Sequence, residues 1–60
     1  MYEIVISKQS KKKYNVKLIN WQGNEGISFG KAFNVSKKIA EKEAKENAKL
    51  YNAKITRKGN

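Results

Sequence analysis

The chain has no cysteine and no histidine. These absences remove disulfides, thiolate and imidazole metal sites, cysteine nucleophiles and every histidine-based general base, and with them most enzyme classes. Long apolar runs are missing too, since no stretch approaches the roughly 18 consecutive apolar residues of a membrane-spanning helix. The first residues do not follow the charged, apolar, small-residue order of a signal peptide, so the expectation is a soluble cytoplasmic chain with no membrane association. Anionic side chains are scarce: five glutamates face fourteen lysine and arginine residues, only one of them arginine. The net charge is +9 on 60 residues. An A-rich coding bias accounts for lysine in place of arginine, but glutamate codons are A-rich as well, and glutamate is rare. A field of this size points to a polyanionic partner.

Sixty residues leave room for one domain whose folding buries about 60% of the unfolded chain's surface. Residues 2 to 8 alternate, with Tyr2, Ile4 and Ile6 on one parity and Glu3, Val5 and Ser7 on the other, which predicts a strand. Gln9 to Lys13 is polar and reads as a hairpin connection. Tyr14 to Trp21 alternates again, with Tyr14, Val16 and Leu18 opposed to Asn15, Lys17, Ile19 and Trp21. Gly23 and Gly26 supply a turn before a third strand from Ile27 to about Phe33. From Val35 the period becomes 3.6, with Ser36 placed to cap a helix reaching about Asn52. The expected class is therefore α+β, a three-stranded antiparallel sheet packed on one C-terminal helix. The chain reads as a single β-β-β-α domain over 1–60, its tail fraying from about residue 53. The expected core is Tyr2, Ile4, Ile6, Tyr14, Val16, Leu18, Ile27, Phe29, Phe33, Ala40, Ala44, Ala48 and Tyr51.

Catalysis would have to come from glutamates, tyrosines and lysines. Glu41 and Glu43 diverge by about 200° around a helix, so with Glu46 they make neither an acid pair nor a metal site. No catalytic residue, cofactor or metal is assigned. The G-x-x-G spacing of Gly23 and Gly26 lies between two strands and reads as turn chemistry rather than a phosphate clamp.

Lys38, Lys42, Lys45 and Lys49 fall within about 60° of one another on the helix face opposite Ala40, Ala44 and Ala48. Like charges at i and i+4 cost a helix roughly 0.2–0.5 kcal/mol per pair, and a row of ammonium groups turned away from the core suits a row of phosphates. Lysine neutralises phosphate as a point charge, whereas bidentate reading of guanine most often uses arginine. The sequence thus favours backbone binding over base reading. Candidate contacts are Lys37, Lys38, Lys42, Lys45 and Lys49 on the helix and Lys11, Lys12 and Lys13 in the first hairpin.

The run from Phe33 through Ser36-Lys37-Lys38-Ile39-Ala40 to Ala44, following a β-β-β meander, resembles the C-terminal two-thirds of a double-stranded RNA-binding domain. The resemblance implies an α-β-β-β-α fold that binds A-form duplex through phosphates and 2′-hydroxyls. By position, Lys37 and Lys38 become phosphate contacts at a helix N-terminus, and Ala40, Ala44 and Ala48 the close-packing stripe. Three departures stand out. The family's first helix has no counterpart before Tyr2, residues 10–13 read Ser-Lys-Lys-Lys where a Gly-Pro-x-His type loop is usual, and Glu41 occupies the place of a third lysine. The same element order, with the aromatic Phe33 preceding the Ser36 that starts the helix, also resembles the arm-site DNA-binding domains of phage and transposon integrases and the related plant AP2 domains. That resemblance implies a sheet face entering the major groove, with Asn15, Lys17 and Trp21 as contacts.

The reading is non-catalytic binding of duplex nucleic acid through its backbone, RNA ahead of DNA, in an architectural, regulatory or masking role. One alternative is the integrase-arm mode. The other is a small interaction module or inhibitor that meets an acidic protein, or a second copy of itself, through Val5, Ile19 and Trp21 on an uncovered sheet face.

Overall fold

The computed structural model describes residues 1–59. Strands β1 (Tyr2–Ser10), β2 (Lys13–Gln22) and β3 (Glu25–Val35) precede helix α1 (Lys37–Tyr51), and strand β4 (Lys54–Lys58) follows it. The sheet order is β3-β2-β1-β4, antiparallel from β3 through β1 and parallel between β1 and β4. This corrects the expected three-stranded antiparallel sheet, because the α+β fold carries a mixed, four-stranded one. Of the tail expected to fray from about residue 53, Lys54–Lys58 form the fourth strand, and Asn60 lies outside the described residues. Lys54-Ile55-Thr56-Arg57-Lys58 is too short and too charged to declare itself as a strand. It pairs because α1 returns the chain to β1, whose edge N–H and C=O groups need partners. Its charged side chains suit a strand that ends a sheet.

Each connection has a local cause. Gly23, at φ 65°, takes the first central position of the two-residue turn closed by Gln22 and Glu25, where hairpin twist demands positive φ. The Oγ of Ser36 accepts a hydrogen bond from the Ile39 N–H at 3.3 Å and caps α1. Asn52 stands in the left-handed region, the Ala53 N–H donates to the Ala48 carbonyl at 2.8 Å, and the chain leaves the helix toward β4.

Ile4, Ile6, Val16 and Leu18 of the two central strands pack under Ala40 and Ala44 of α1 to form the core. The methyl side chains of the alanines let the helix lie close to the sheet. Ile27, Phe29 and Phe33, expected in this core, are instead 55%, 50% and 66% exposed. An α-helix is about 10 Å across and strands are about 4.8 Å apart, so one helix covers roughly two strands. Here those strands are β1 and β2, which leaves Ile27 and Phe29 of the edge strand β3 uncovered. Phe33 has a further reason. β3 is irregular between its pairs Gly30↔Lys17 and Ala32↔Val16, and again before Val35↔Tyr14, and each extra residue reverses side-chain parity. Ala32 and Val35 therefore pack against the core, while the Phe33 ring lies over Gly30, in the space a side chain there would need.

Candidate nucleic-acid interface

The register brings three basic segments to one end of the molecule. β1 and β2 meet at Ser10↔Lys13, so Lys11 and Lys12 form the hairpin tip. Tyr14, beside that tip, pairs with Val35, which directly precedes the Ser36 cap, so Lys37 and Lys38 open α1 at the same end. Ser7 pairs with Lys58, and a Cβ on the next residue, Gly59, would stand 3.2 Å from the Lys8 Cβ. Lys8, Lys11, Lys12, Lys13, Lys37, Lys38 and Lys58 thus share one pole of a molecule 33 Å long, and all are exposed. The first turn of α1 has no acidic residue, so its unpaired amides add to the positive field.

From this pole Lys42, Lys45 and Lys49 run along the outer face of α1, all exposed. Fifteen helical residues rise about 22 Å at 1.5 Å each, so hairpin and helix make one basic ribbon over most of the molecule. Glu41, which stands where the resembled family has a lysine, is occupied locally. Its Oε1 and Oε2 accept hydrogen bonds from Arg57 Nη2 at 2.6 Å and Nε at 3.0 Å, a bidentate pair that links α1 to β4. That hydrogen bonding holds the Glu41 carboxyl below its ordinary range and raises the Arg57 guanidinium. The pair lies beside Lys37, Lys58, Ile6 and Tyr14 in a shallow concavity. Arg57 was no part of the expected site, and its pairing depends on β4.

The face of the sheet away from α1 is different in kind. Lys17 is exposed there, together with Lys54 and Lys58, but Asn15 is engaged, its Oδ1 accepting from the Asn34 N–H at 2.9 Å. Trp21 is half-buried, and its ring lies on Gly26, where a Cβ would come within 3.0 Å. Its Nε1 donates to Glu3 Oε1 at 2.9 Å, and Thr56 Oγ1 donates to Glu3 Oε2 at 2.5 Å. Glu3 thereby ties β2 to β4 across β1. Val5 and Ile19, expected as an uncovered apolar patch, are 1% and 9% exposed. Lys17 and Thr56 flank Val5 in register, and Ile19 packs beside Gly26, so neighbouring side chains close over both without a second layer. The partner surface expected through Val5, Ile19 and Trp21 is not available as an exposed apolar cluster. Gly23 and Gly26 have separate tasks, one in the turn and the other under Trp21.

The hydrogen bonds from Thr56 and Trp21, with the charges of Lys54 and Lys58, hold the Glu3 carboxyl below its ordinary value of 4.5. The unfolded chain therefore binds a proton here more readily than the folded one. Stability from this group is full above the unfolded value and is lost as pH falls through the lower folded one. Urea midpoints should drop between pH 6 and pH 3, and Glu3→Gln, which keeps the shape but not the charge, should shrink that drop. An undiminished drop in the variant would assign the acid sensitivity elsewhere.

No helix is long and apolar enough to cross a membrane among the described residues. Compared with protein-family models, curated proteins and solved structures, the chain matches none.

Proposed function

We propose that this protein binds duplex nucleic acid through the phosphate backbone, without catalysis, using the ribbon that runs from Lys11, Lys12 and Lys13 through Lys37 and Lys38 to Lys42, Lys45 and Lys49. The observation that carries the reading is the convergence of the hairpin lysines with the N-terminus of α1, two segments distant in sequence. Seven exposed lysines around unpaired helix amides form a polyanion site with no geometry for base edges. A sheet and one helix in an α+β fold are compatible with the double-stranded RNA-binding arrangement, in which a β1–β2 loop and a helix start engage one duplex. This favours RNA over DNA. The integrase-arm mode is the less favoured, because Asn15 and Trp21 are held by Asn34 and Glu3 within the sheet, and Glu3 places an anion on that face.

Amide NMR titration with matched 16-base-pair RNA and DNA duplexes tests the assignment. The expected result is movement of residues 8–13 and 36–42 with both, larger with RNA. Movement confined to Asn15, Lys17 and Ser28 with DNA alone would transfer the site to the sheet face. No movement with either duplex would remove the nucleic-acid reading in favour of an acidic protein partner.

A further inference from the structure

The two edges of the sheet are protected unequally. β4 is five residues long and carries Lys54, Arg57 and Lys58. β3 is eleven residues long, and its irregularities begin only after Gly30, so Glu25-Gly-Ile-Ser-Phe-Gly30 is a regular, unpaired edge. Its free backbone groups can be identified. The Trp21 N–H donates to the Met1 carbonyl at 2.7 Å, and the Trp21 carbonyl accepts from the Met1 amino group at 3.3 Å, so Trp21 points its backbone at β1. Alternation along β2 then turns Asn20 and Leu18 toward β3, where they pair with Ile27 and Phe29. The N–H and C=O groups of Gly26, Ser28 and Gly30 therefore face outward.

The geometry points to self-association of two copies through β3, antiparallel and centred on Ser28. In that register Gly26 lies opposite the second copy's Gly30, Ile27 opposite Phe29, and Glu25 opposite Lys31. The segment is complementary to itself in charge and size. Each outward N–H and C=O finds a partner. On the sheet's open face Gly26, Ser28 and Gly30 carry at most a hydroxymethyl group, and the Trp21 and Phe33 rings of the same chain lie over Gly26 and Gly30. Ile27 and Phe29, 55% and 50% exposed in the single chain, come together from both copies on the helix side. Two Glu25–Lys31 pairs, one at each end of the paired segment, select this register over its neighbours, because a slip of one residue places apolar side chains opposite small ones. The contact is isologous and closes as a dimer with one continuous eight-stranded sheet. Both helices lie on the same face. Because β3 runs antiparallel to its copy, the two lysine poles project from opposite ends. Seven paired residues from each copy and four apolar side chains in all make a contact well below the roughly 1,600 Å² of a standard interface, which places the association in the weak, concentration-dependent class.

This inference is independent of the nucleic-acid reading and its test contains no nucleic acid. Sedimentation equilibrium of the full chain in 1 M salt, where the Debye length is about 3 Å and repulsion between two +9 chains is screened, should show the mass rising with concentration from 6.9 kDa toward twice that value. N-methylation of the Ser28 amide in synthetic protein blocks only the outward edge and should hold the mass at the monomer value. At moderate salt, Glu25→Lys sets lysine against Lys31 and should weaken association at least tenfold, and adding Lys31→Glu should restore it. Circular dichroism confirms the fold of each variant. A monomeric mass at all concentrations, or association that survives Ser28 N-methylation, would overturn the proposal. A double exchange that restores nothing would reject the register.

Discussion

Replacing Lys11, Lys12 and Lys37 by glutamine is expected to weaken binding to a duplex of about 20 base pairs by roughly 10²- to 10³-fold at 0.1 M salt, if each lysine neutralises one phosphate. The log–log salt slope should flatten by about 0.9 per lost contact on B-DNA, close to 2.7 in all. All three side chains are exposed, and glutamine and lysine have similar helix propensity, so the fold should be unaffected. The control is the triple replacement of Lys17, Lys31 and Lys54, which removes the same charge, from +9 to +6, away from the pole. If net charge alone drove binding, the two variants would fall together. The convergence of hairpin and helix start requires the pole variant to lose far more, and electrophoretic mobility shift at two salt concentrations measures the difference.

Ending the chain after Asn52 is expected to leave a largely unfolded protein. A 60-residue domain at about 0.05–0.15 kcal/mol per residue has roughly 3–9 kcal/mol in hand. Removing β4 deletes the half-buried Ile55, strips the Glu3 carboxylate of its Thr56 donor and frees Glu41 from Arg57. It also opens the flank of β1, where Ile4 and Ile6 are 0% and 3% exposed. Lost apolar burial, one hydrogen bond and the strand pairing together amount to about 3–5 kcal/mol, comparable to the whole stability. Far-ultraviolet circular dichroism should show loss of the helix at 25 °C, or a melting temperature lower by about 15 °C or more. A truncated chain melting within a few degrees of the intact one would show that Lys54–Lys58 contribute no stabilising fourth strand.

The elements with strong periodicity were legible in the sequence. Alternation in β1 and β2, the Gly23 turn, the Ser36 cap and the alanine stripe each reflect a local requirement of the backbone, and each is found where the pattern placed it. What was not legible depends on position in three dimensions. Ile55 alone does not announce a strand, and β4 exists because α1 returns the chain to an open edge of β1. Phe33 changed faces because of bulges that no residue type signals in advance. Ile27 and Phe29 are uncovered because one helix spans two strands, a limit of width rather than of hydrophobicity. Of the candidate site, the exposed lysines of hairpin and helix could be named from the sequence. Their convergence at one pole follows from the Tyr14–Val35 pairing, and the engagement of Glu41 by Arg57 from β4. Finding lysines opposite the core was never the difficulty; knowing which lysines meet was.

The most direct test of the central claim is the salt dependence of binding by the unaltered protein to a duplex of defined length, followed by fluorescence anisotropy of the labelled duplex. Four to six neutralised phosphates require log affinity to fall with log salt at a slope of about −3.5 to −5.5 on B-DNA. A matched RNA duplex should bind at least as tightly at each salt concentration. No measurable binding at low salt, or an affinity that does not change between 50 and 200 mM, would contradict a phosphate-binding pole.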